Sequence, residues 1–163
     1  MCKNRIIKLF VAALVAAATA VIDRVTKAVV ADSMALGEQI EFIPGVLRWT
    51  YIQNKGAAFG SLSNARWVFM IASCILIVAI CVYLIKARKL NWLSCVSLSL
   101  ILGGGIGNMI DRIMLGYVVD FIDFYPIPFW RWIFNVADSC VCIGAVLFVI
   151  AYFFTGKNEK NGK

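Results

Sequence analysis

Four long stretches with almost no charge constrain this chain more than any other feature: Leu9 to Ile22, Trp67 to Ile85, Asn91 to Ile110 and Ser139 to Thr155. A helix needs about 20 mainly apolar residues to cross roughly 30 Å of hydrocarbon, and each stretch supplies most of one. The first is short by itself and is expected to continue past Asp23 toward Val30. With 62% apolar and 15% charged side chains and a mean hydropathy of +0.86, the chain departs from the composition of soluble domains. The pattern predicts an all-α membrane protein with four transmembrane helices, at about 8–30, 66–86, 91–112 and 136–155, in a single integral membrane domain over residues 1–163.

A net charge of +7 raises the possibility of nucleic-acid binding, and the placement of the cations argues for membrane orientation instead. Lys3, Arg5 and Lys8 precede the first span, Lys86, Arg88 and Lys89 separate the second from the third, and Lys157, Lys160 and Lys163 follow the fourth. The positive-inside bias then puts both termini and the middle loop in the cytoplasm, which predicts a multi-pass protein in contact with membrane lipid and without a nucleic-acid partner. Every acidic residue except Glu159 falls at or beyond the outer helix ends. The basic start, the apolar run and Ala16-Ala17-Ala18-Thr19-Ala20 imitate a secretory signal. The multispan remainder makes a retained first helix the expected outcome.

Between the spans, residues 31–65 form an outer interfacial segment. Leu47, Trp49 and Tyr51 alternate there with Arg48, Thr50 and Ile52, Pro44-Gly45 supplies a turn, and Glu38 to Ile43 offers a partner strand. The expectation is a small extracytoplasmic β-sheet at the membrane interface. Residues 113–135 read as an outer loop rich in aromatics (Tyr117, Phe121, Phe124, Tyr125, Phe129, Trp130, Trp132 and Phe134), an interfacial belt. Gly103-Gly104-Gly105-Ile106-Gly107 permits close approach of another helix or of an extended substrate.

Histidine is absent, so a Ser-His-Asp triad and a His-ligated zinc site are excluded. The six cysteines form no Cys-x-x-Cys pair, and those inside the spans read as small apolar fillers, which also argues against a thiol-disulfide oxidoreductase. What stands out is a set of polar residues at the outer helix ends: Asp23, Lys27, Asn54, Asn108, Asp111, Arg112, Asp120, Asp123, Asn135 and Asp138. Ionisable groups at membrane depth are costly and need a reason. Asp120 and Asp138 should lie at similar depth, with 17 residues between them to loop out and bring them face to face. Two carboxylates in a poorly solvated place hold a shared proton, the state an aspartic protease needs, and no cofactor is required. Position alone leaves other roles open. Asp138 or Asn135 can cap the fourth helix, Asp120 can pair with Arg112 or Arg131, and Asp123 has nearly the same claim as Asp120. A small proton- or ion-coupled transporter would use the same carboxylates, and a membrane scaffold would need only ion pairs.

Over nearly its whole length the chain resembles the lipoprotein (type II) signal peptidases. Five blocks carry the resemblance, in the family's order and spacing: Asp23-Arg24-Val25-Thr26-Lys27, Asn54-Lys55-Gly56-Ala57-Ala58-Phe59, Gly104 to Arg112, Val118-Val119-Asp120-Phe121, and Phe134-Asn135-Val136-Ala137-Asp138-Ser139. The resemblance implies an aspartic endopeptidase of a bacterial inner membrane that cleaves signal peptides from diacylglyceryl-modified prolipoproteins just before the lipidated cysteine. Its site is expected near the extracytoplasmic face, and the protein is expected to be a monomer. It maps the catalytic dyad onto Asp120 and Asp138, which leaves Asp123 outside it. Supporting positions fall on Asp23, Lys27, Asn54, Gly56, Asn108, Arg112, Asn135 and Ala137. Among these, Asp23 and Lys27 at i and i+4 suit an ion pair. Asn108, Asn135 and Arg112 suit either donation to substrate or bracing of helices.

Overall fold

A computed structural model describes residues 2–56, 66–87, 90–125 and 132–160. Four helices, α1 (Cys2–Ser33), α2 (Arg66–Lys86), α3 (Trp92–Met114) and α4 (Val136–Lys160), form a bundle with a sheet at one end. Each helix is long and apolar enough to cross a bilayer. The first does run on past Asp23, as its sequence suggested. Ala57, Ala58 and Phe59 of the second block, Phe129, Trp130 and Arg131 of the aromatic connection, and the cations Arg88, Lys89 and Lys163 lie outside the described residues.

α3 is the axis of the bundle. It packs on α1, α2 and α4, and 61% of its most apolar window is buried, against 11% for α2. The small residues are the reason. A Cβ on Gly103 would lie 2.5 Å from the Ala16 carbonyl oxygen of α1, and one on Gly104 would strike the Ala137 carbonyl oxygen and stand 2.8 Å from Val141 Cγ2 of α4. Close helix packing therefore accounts for these two glycines. Large apolar side chains such as Phe10, Leu14, Ile75 and Val146 point away from the bundle and remain exposed, as a lipid-facing surface requires. The sequence settles the ends of α3 too. Asn91 caps its N-terminus by accepting the Ser94 N–H at 2.6 Å. At the other end Gly116, at φ 84°, turns the chain back toward the bundle.

The sheet is larger than its sequence suggested. β1 (Gln39–Ile43) and β2 (Leu47–Asn54) form the expected hairpin. Its turn has Pro44 followed by Gly45 at φ 73°, and the Val46 N–H reaches the Ile43 carbonyl at 3.0 Å, the chemistry of a type II turn. The connection read as a loop contributes two more strands, β3 (Val118–Asp123) and β4 (Ile133–Phe134), in the antiparallel order β1-β2-β3-β4. Phe121 accordingly belongs to the apolar cluster with Tyr51 and Val119 and not to an interfacial belt.

The alternation expected along β2 also breaks. Between the pairs Trp49↔Ile122 and Ile52↔Asp120, β2 sets two residues, Thr50 and Tyr51, against Phe121 alone. Both bulge residues are buried. A bulge of this kind re-aims the strand beyond it. Here it brings Ile52 opposite Asp120 and leaves Asn54 within reach of the Asp120 side chain.

Candidate active site

Asp120 arrives on β3 and Asp138 on the first turn of α4, and both line one cavity of about 500 Å³. Asparagine amides hold them there. Asn54 Nδ2 donates to Asp120 Oδ2 at 2.8 Å, Asn135 Nδ2 donates to Asp120 Oδ1 at 2.6 Å, and Asn108 Nδ2 donates to Asp138 Oδ1 at 2.7 Å. Asn135 also caps α4: its Oδ1 accepts the Asp138 N–H at 2.8 Å and its carbonyl oxygen accepts the Ser139 N–H at 3.1 Å. That answers the capping question, because Asn135 does the work and the Asp138 carboxylate is left for the cavity. One asparagine thus touches both aspartates.

Behind the pair lies a buried charge cluster. Lys27, 1% exposed, sits 2.7 Å from Asp23 Oδ2 and 3.1 Å from Asp111 Oδ2, and Arg24 also binds Asp111. Each carboxylate holds a backbone N–H as well. Asp111 accepts from Val119 at 3.2 Å and Asp23 accepts from Ala137 at 2.9 Å. Val119 precedes Asp120 and Ala137 precedes Asp138 in the chain. Lys27 further donates to Asn108 Oδ1 at 2.8 Å, which leaves the amide nitrogen of Asn108 for Asp138. Gly107 makes room for this arrangement, because a Cβ there would lie 2.6 Å from Asp23 Oδ2.

Electrostatics set Asp120 apart. It is 1% exposed, and burial followed by repulsion from Asp138 raises its pKa from 3.8 to about 7. Arg112 lines the same cavity, its guanidinium lying 5.7 Å from the centre of the Phe69 ring and donating to the Asn108 carbonyl at 3.3 Å. Gly56 lines it too, with its N–H on Asn54 Oδ1 at 3.1 Å in a turn that steadies the asparagine. The remaining wall is apolar and includes Trp132, Phe134, Val141 and Cys142. Among the described residues, no group of three or more His, Cys, Asp or Glu side chains is placed to hold a metal ion.

The structure therefore gathers Asp120, Asp138, Asn54, Gly56, Asn108, Arg112 and Asn135 around one space, with Asp23, Lys27 and Ala137 behind them. It leaves Asp123 out. That carboxylate binds Arg48 Nε at 2.6 Å and accepts the Thr50 hydroxyl at 2.9 Å. Asn108 and Asn135 spend their amides on the aspartates, so bracing, rather than donation to substrate, describes them in this state. Sequence reasoning gave no role to Arg24 or Asp111. Its available signal was their place inside two of the five blocks.

The sequence profile of the family described as signal peptidase (SPase) II matches residues 15–154. A lipoprotein signal peptidase of Symbiobacterium thermophilum is 46% identical over 127 residues, which cover 78% of this chain and 84% of that protein. One of Brevibacillus brevis is 41% identical over 147 residues, 90% of this chain and 97% of that protein. Among solved structures, a bacterial membrane enzyme determined by the in meso method at 2.3 Å superimposes with a TM-score of 0.82 at 38% identity, covering 91% of this chain and 90% of its own. A second, at 1.9 Å, gives 0.79 at 39% identity over 87% and 92% of the two chains. Two aspartates facing one cavity at the sheet end of a four-span bundle, and a family match running through every helix, lead to one conclusion: the chain is a multi-pass membrane protein belonging to the signal peptidase II family.

Proposed function

We propose that Asp120 and Asp138 are the catalytic dyad with which this peptidase cleaves signal peptides from prolipoproteins, just before a diacylglyceryl-modified cysteine. One observation supports the reading most. The two carboxylates come from different elements and line a common cavity, and among the described residues their side-chain oxygens accept hydrogen bonds from uncharged amides only. An acidic pair with structural duty alone would be expected to hold cations, as Asp23, Asp111 and Asp123 do.

Charge balance agrees. Asp23, Asp111, Asp120 and Asp138 share this end of the bundle with Arg24, Lys27 and Arg112, so one proton on the dyad makes the group neutral. Net charge is expensive to hold away from water, which favours that state. The ionised carboxylate takes a proton from water as the water oxygen attacks the scissile carbonyl carbon, and the protonated carboxyl gives its proton to the carbonyl oxygen. The resulting gem-diol then collapses: the C–N bond breaks, the leaving nitrogen receives a proton from the dyad, and a hydroxyl proton returns to it. Arg112, at the cavity wall, can stabilise negative charge that develops on the substrate oxygen.

The family supports a bacterial cytoplasmic membrane, and the distribution of cations supports both termini being cytoplasmic and the sheet extracytoplasmic. There the dyad lies near the outer interface, where a lipid-anchored substrate presents its peptide. The protein acts as a monomer surrounded by lipid, and its substrates are lipidated prolipoproteins. Nothing in the fold or the family favours the transporter alternative. The test is to incubate the purified protein with one prolipoprotein in lipidated and unlipidated forms. Cleavage of the lipidated form alone, before the modified cysteine, is expected; equal cleavage of both, or of neither, would contradict the reading.

A further inference from the structure

Ion pairs account for most of the charge at the sheet end of the bundle, and they leave one cation over. Arg24 and Lys27 hold Asp111 and Asp23, and Arg48 holds Asp123. Arg112 lines the cavity together with Asp120 and Asp138, yet among the described residues no carboxylate lies within ion-pair distance of it. Its guanidinium donates to the Asn108 carbonyl oxygen at 3.3 Å, one turn back on α3, and rests 5.7 Å from the centre of the Phe69 ring. A guanidinium carries N–H donors on all three nitrogens, in a planar fork that matches a carboxylate at two points, so most of the donors of Arg112 remain for a ligand of the cavity.

The uncleaved substrate offers only neutral amides there. Cleavage makes a carboxylate, because hydrolysis turns the scissile carbonyl into the carboxyl terminus of the released signal peptide, and it does so in the cavity that Arg112 lines. We propose that Arg112 binds this new terminus against the dyad, which makes the cavity a site for peptide C-terminal carboxylates, and that the dyad exchanges the oxygens of the bound carboxyl with water. The inference rests on the proposed cleavage reaction. A carboxylate paired with a guanidinium is held more strongly than a neutral carbonyl, so the site grips the product terminus better than the amide it came from. Contact with the Phe69 ring steadies the guanidinium before the carboxylate forms. With one proton on the dyad the surrounding charges already balance, so the carboxylate enters with one further proton, as the acid that exchange requires.

Exchange is the cleavage chemistry with a hydroxyl in place of the leaving nitrogen. The ionised aspartate takes a proton from water as the water oxygen bonds to the carboxyl carbon, and the protonated aspartate gives its proton to the carbonyl oxygen. The resulting triol then loses one of its original hydroxyls as water: that C–O bond breaks, the departing oxygen takes a proton from the dyad, and a remaining hydroxyl returns one. The dyad is restored, and the acid has traded one oxygen for one from solvent.

Two measurements on the full-length protein in detergent test this, with the signal peptide of one prolipoprotein made as the free acid and as the C-terminal amide. Fluorescence anisotropy of an N-terminally labelled peptide should show the acid binding at least about tenfold more tightly than the amide. Arg112→Lys, which keeps the charge and loses the fork, should cut that preference severalfold. Equal affinity of wild type for acid and amide would overturn the product site, whether or not the variant folds. In water enriched in oxygen-18, mass spectrometry should find heavy oxygen entering the acid with wild type, and none above the rate without protein with Asp120→Asn. No incorporation by wild type that cleaves the lipidated substrate would overturn the placement against the dyad. Wild type that neither cleaves nor exchanges, while still preferring the acid, would refute the proposed dyad and leave the carboxylate site standing.

Discussion

Asp23 and Asp111 hold matching positions behind the cavity: each accepts the backbone N–H of the residue that precedes an aspartate of the proposed dyad, Asp23 from Ala137 at 2.9 Å and Asp111 from Val119 at 3.2 Å. Lys27 lies between them, 2.7 Å from one and 3.1 Å from the other. The placement of two separate elements, β3 and the start of α4, thus depends on one buried ammonium. Lys27→Met would leave two buried carboxylates with Arg24 alone. Removing one partner of such a network costs about 3–5 kcal/mol, so a large fall in thermal stability in detergent is expected, with loss of turnover. A melting temperature equal to wild type would show that the cluster does not hold these elements.

Neighbouring glycines should behave differently. Gly104→Ala drives a Cβ against the Ala137 carbonyl and Val141 of α4, whereas the same change at Gly105 meets the Ile77 side chain at ordinary contact distances, 3.5 Å to Cγ1 and 3.8 Å to Cδ1. Overpacking of the first kind costs about 1–3 kcal/mol. It also displaces the helix that carries Asp138. Gly104→Ala should lower both stability and kcat, and Gly105→Ala should leave them near wild type; parallel measurement of the two variants checks this.

Much of this arrangement was legible beforehand, and the reason differs from residue to residue. The spans follow from the length of apolar runs, the hairpin from Pro44-Gly45, and the Asp23–Lys27 pair from i, i+4 spacing on a helix. Which aspartate of β3 faces Asp138, and so belongs to the proposed dyad, was not legible from the residues. Asp120 and Asp123 are three apart, so on a strand they point to opposite faces, and only the existence of β3 reveals that. No local pattern announces β3, because its Val-Val-Asp-Phe-Ile-Asp run is packed on both sides and lacks alternation. Asp111 was hidden for another reason. Its partners Arg24 and Val119 are brought to it by tertiary packing alone.

From that face assignment, Asp123→Asn should retain turnover. The change weakens the contact with Arg48 and leaves the cavity untouched. Cleavage rates of the purified variant on a lipidated substrate provide the check. Loss of activity as deep as that of a dyad variant would contradict the assignment.

The pH dependence has a defined sign. Asp120 has a folded pKa of about 7 against 3.8 when unfolded, so the folded protein binds this proton more tightly. Stability from this group is present in full below about pH 4 and is lost as pH rises through 7. Asp120→Asn carries no such proton, so its stability advantage over wild type should widen between those limits. Activity should fall on the alkaline side near pH 7 as the shared proton leaves. Thermal inactivation and kcat/KM measured across pH 4–9 would show both, and a flat profile through 7 would count against a protonated Asp120.

Proton sharing between the two aspartates is the centre of the account, and removing either acid tests it most directly. Single-turnover cleavage of a lipidated prolipoprotein should fall by at least about 10⁴-fold in Asp120→Asn and in Asp138→Asn, with about the same loss in the double variant, because the pair acts as a unit. Both single variants should remain folded and still bind substrate. Substantial cleavage by either folded variant, or losses that multiply in the double, would contradict a shared catalytic pair.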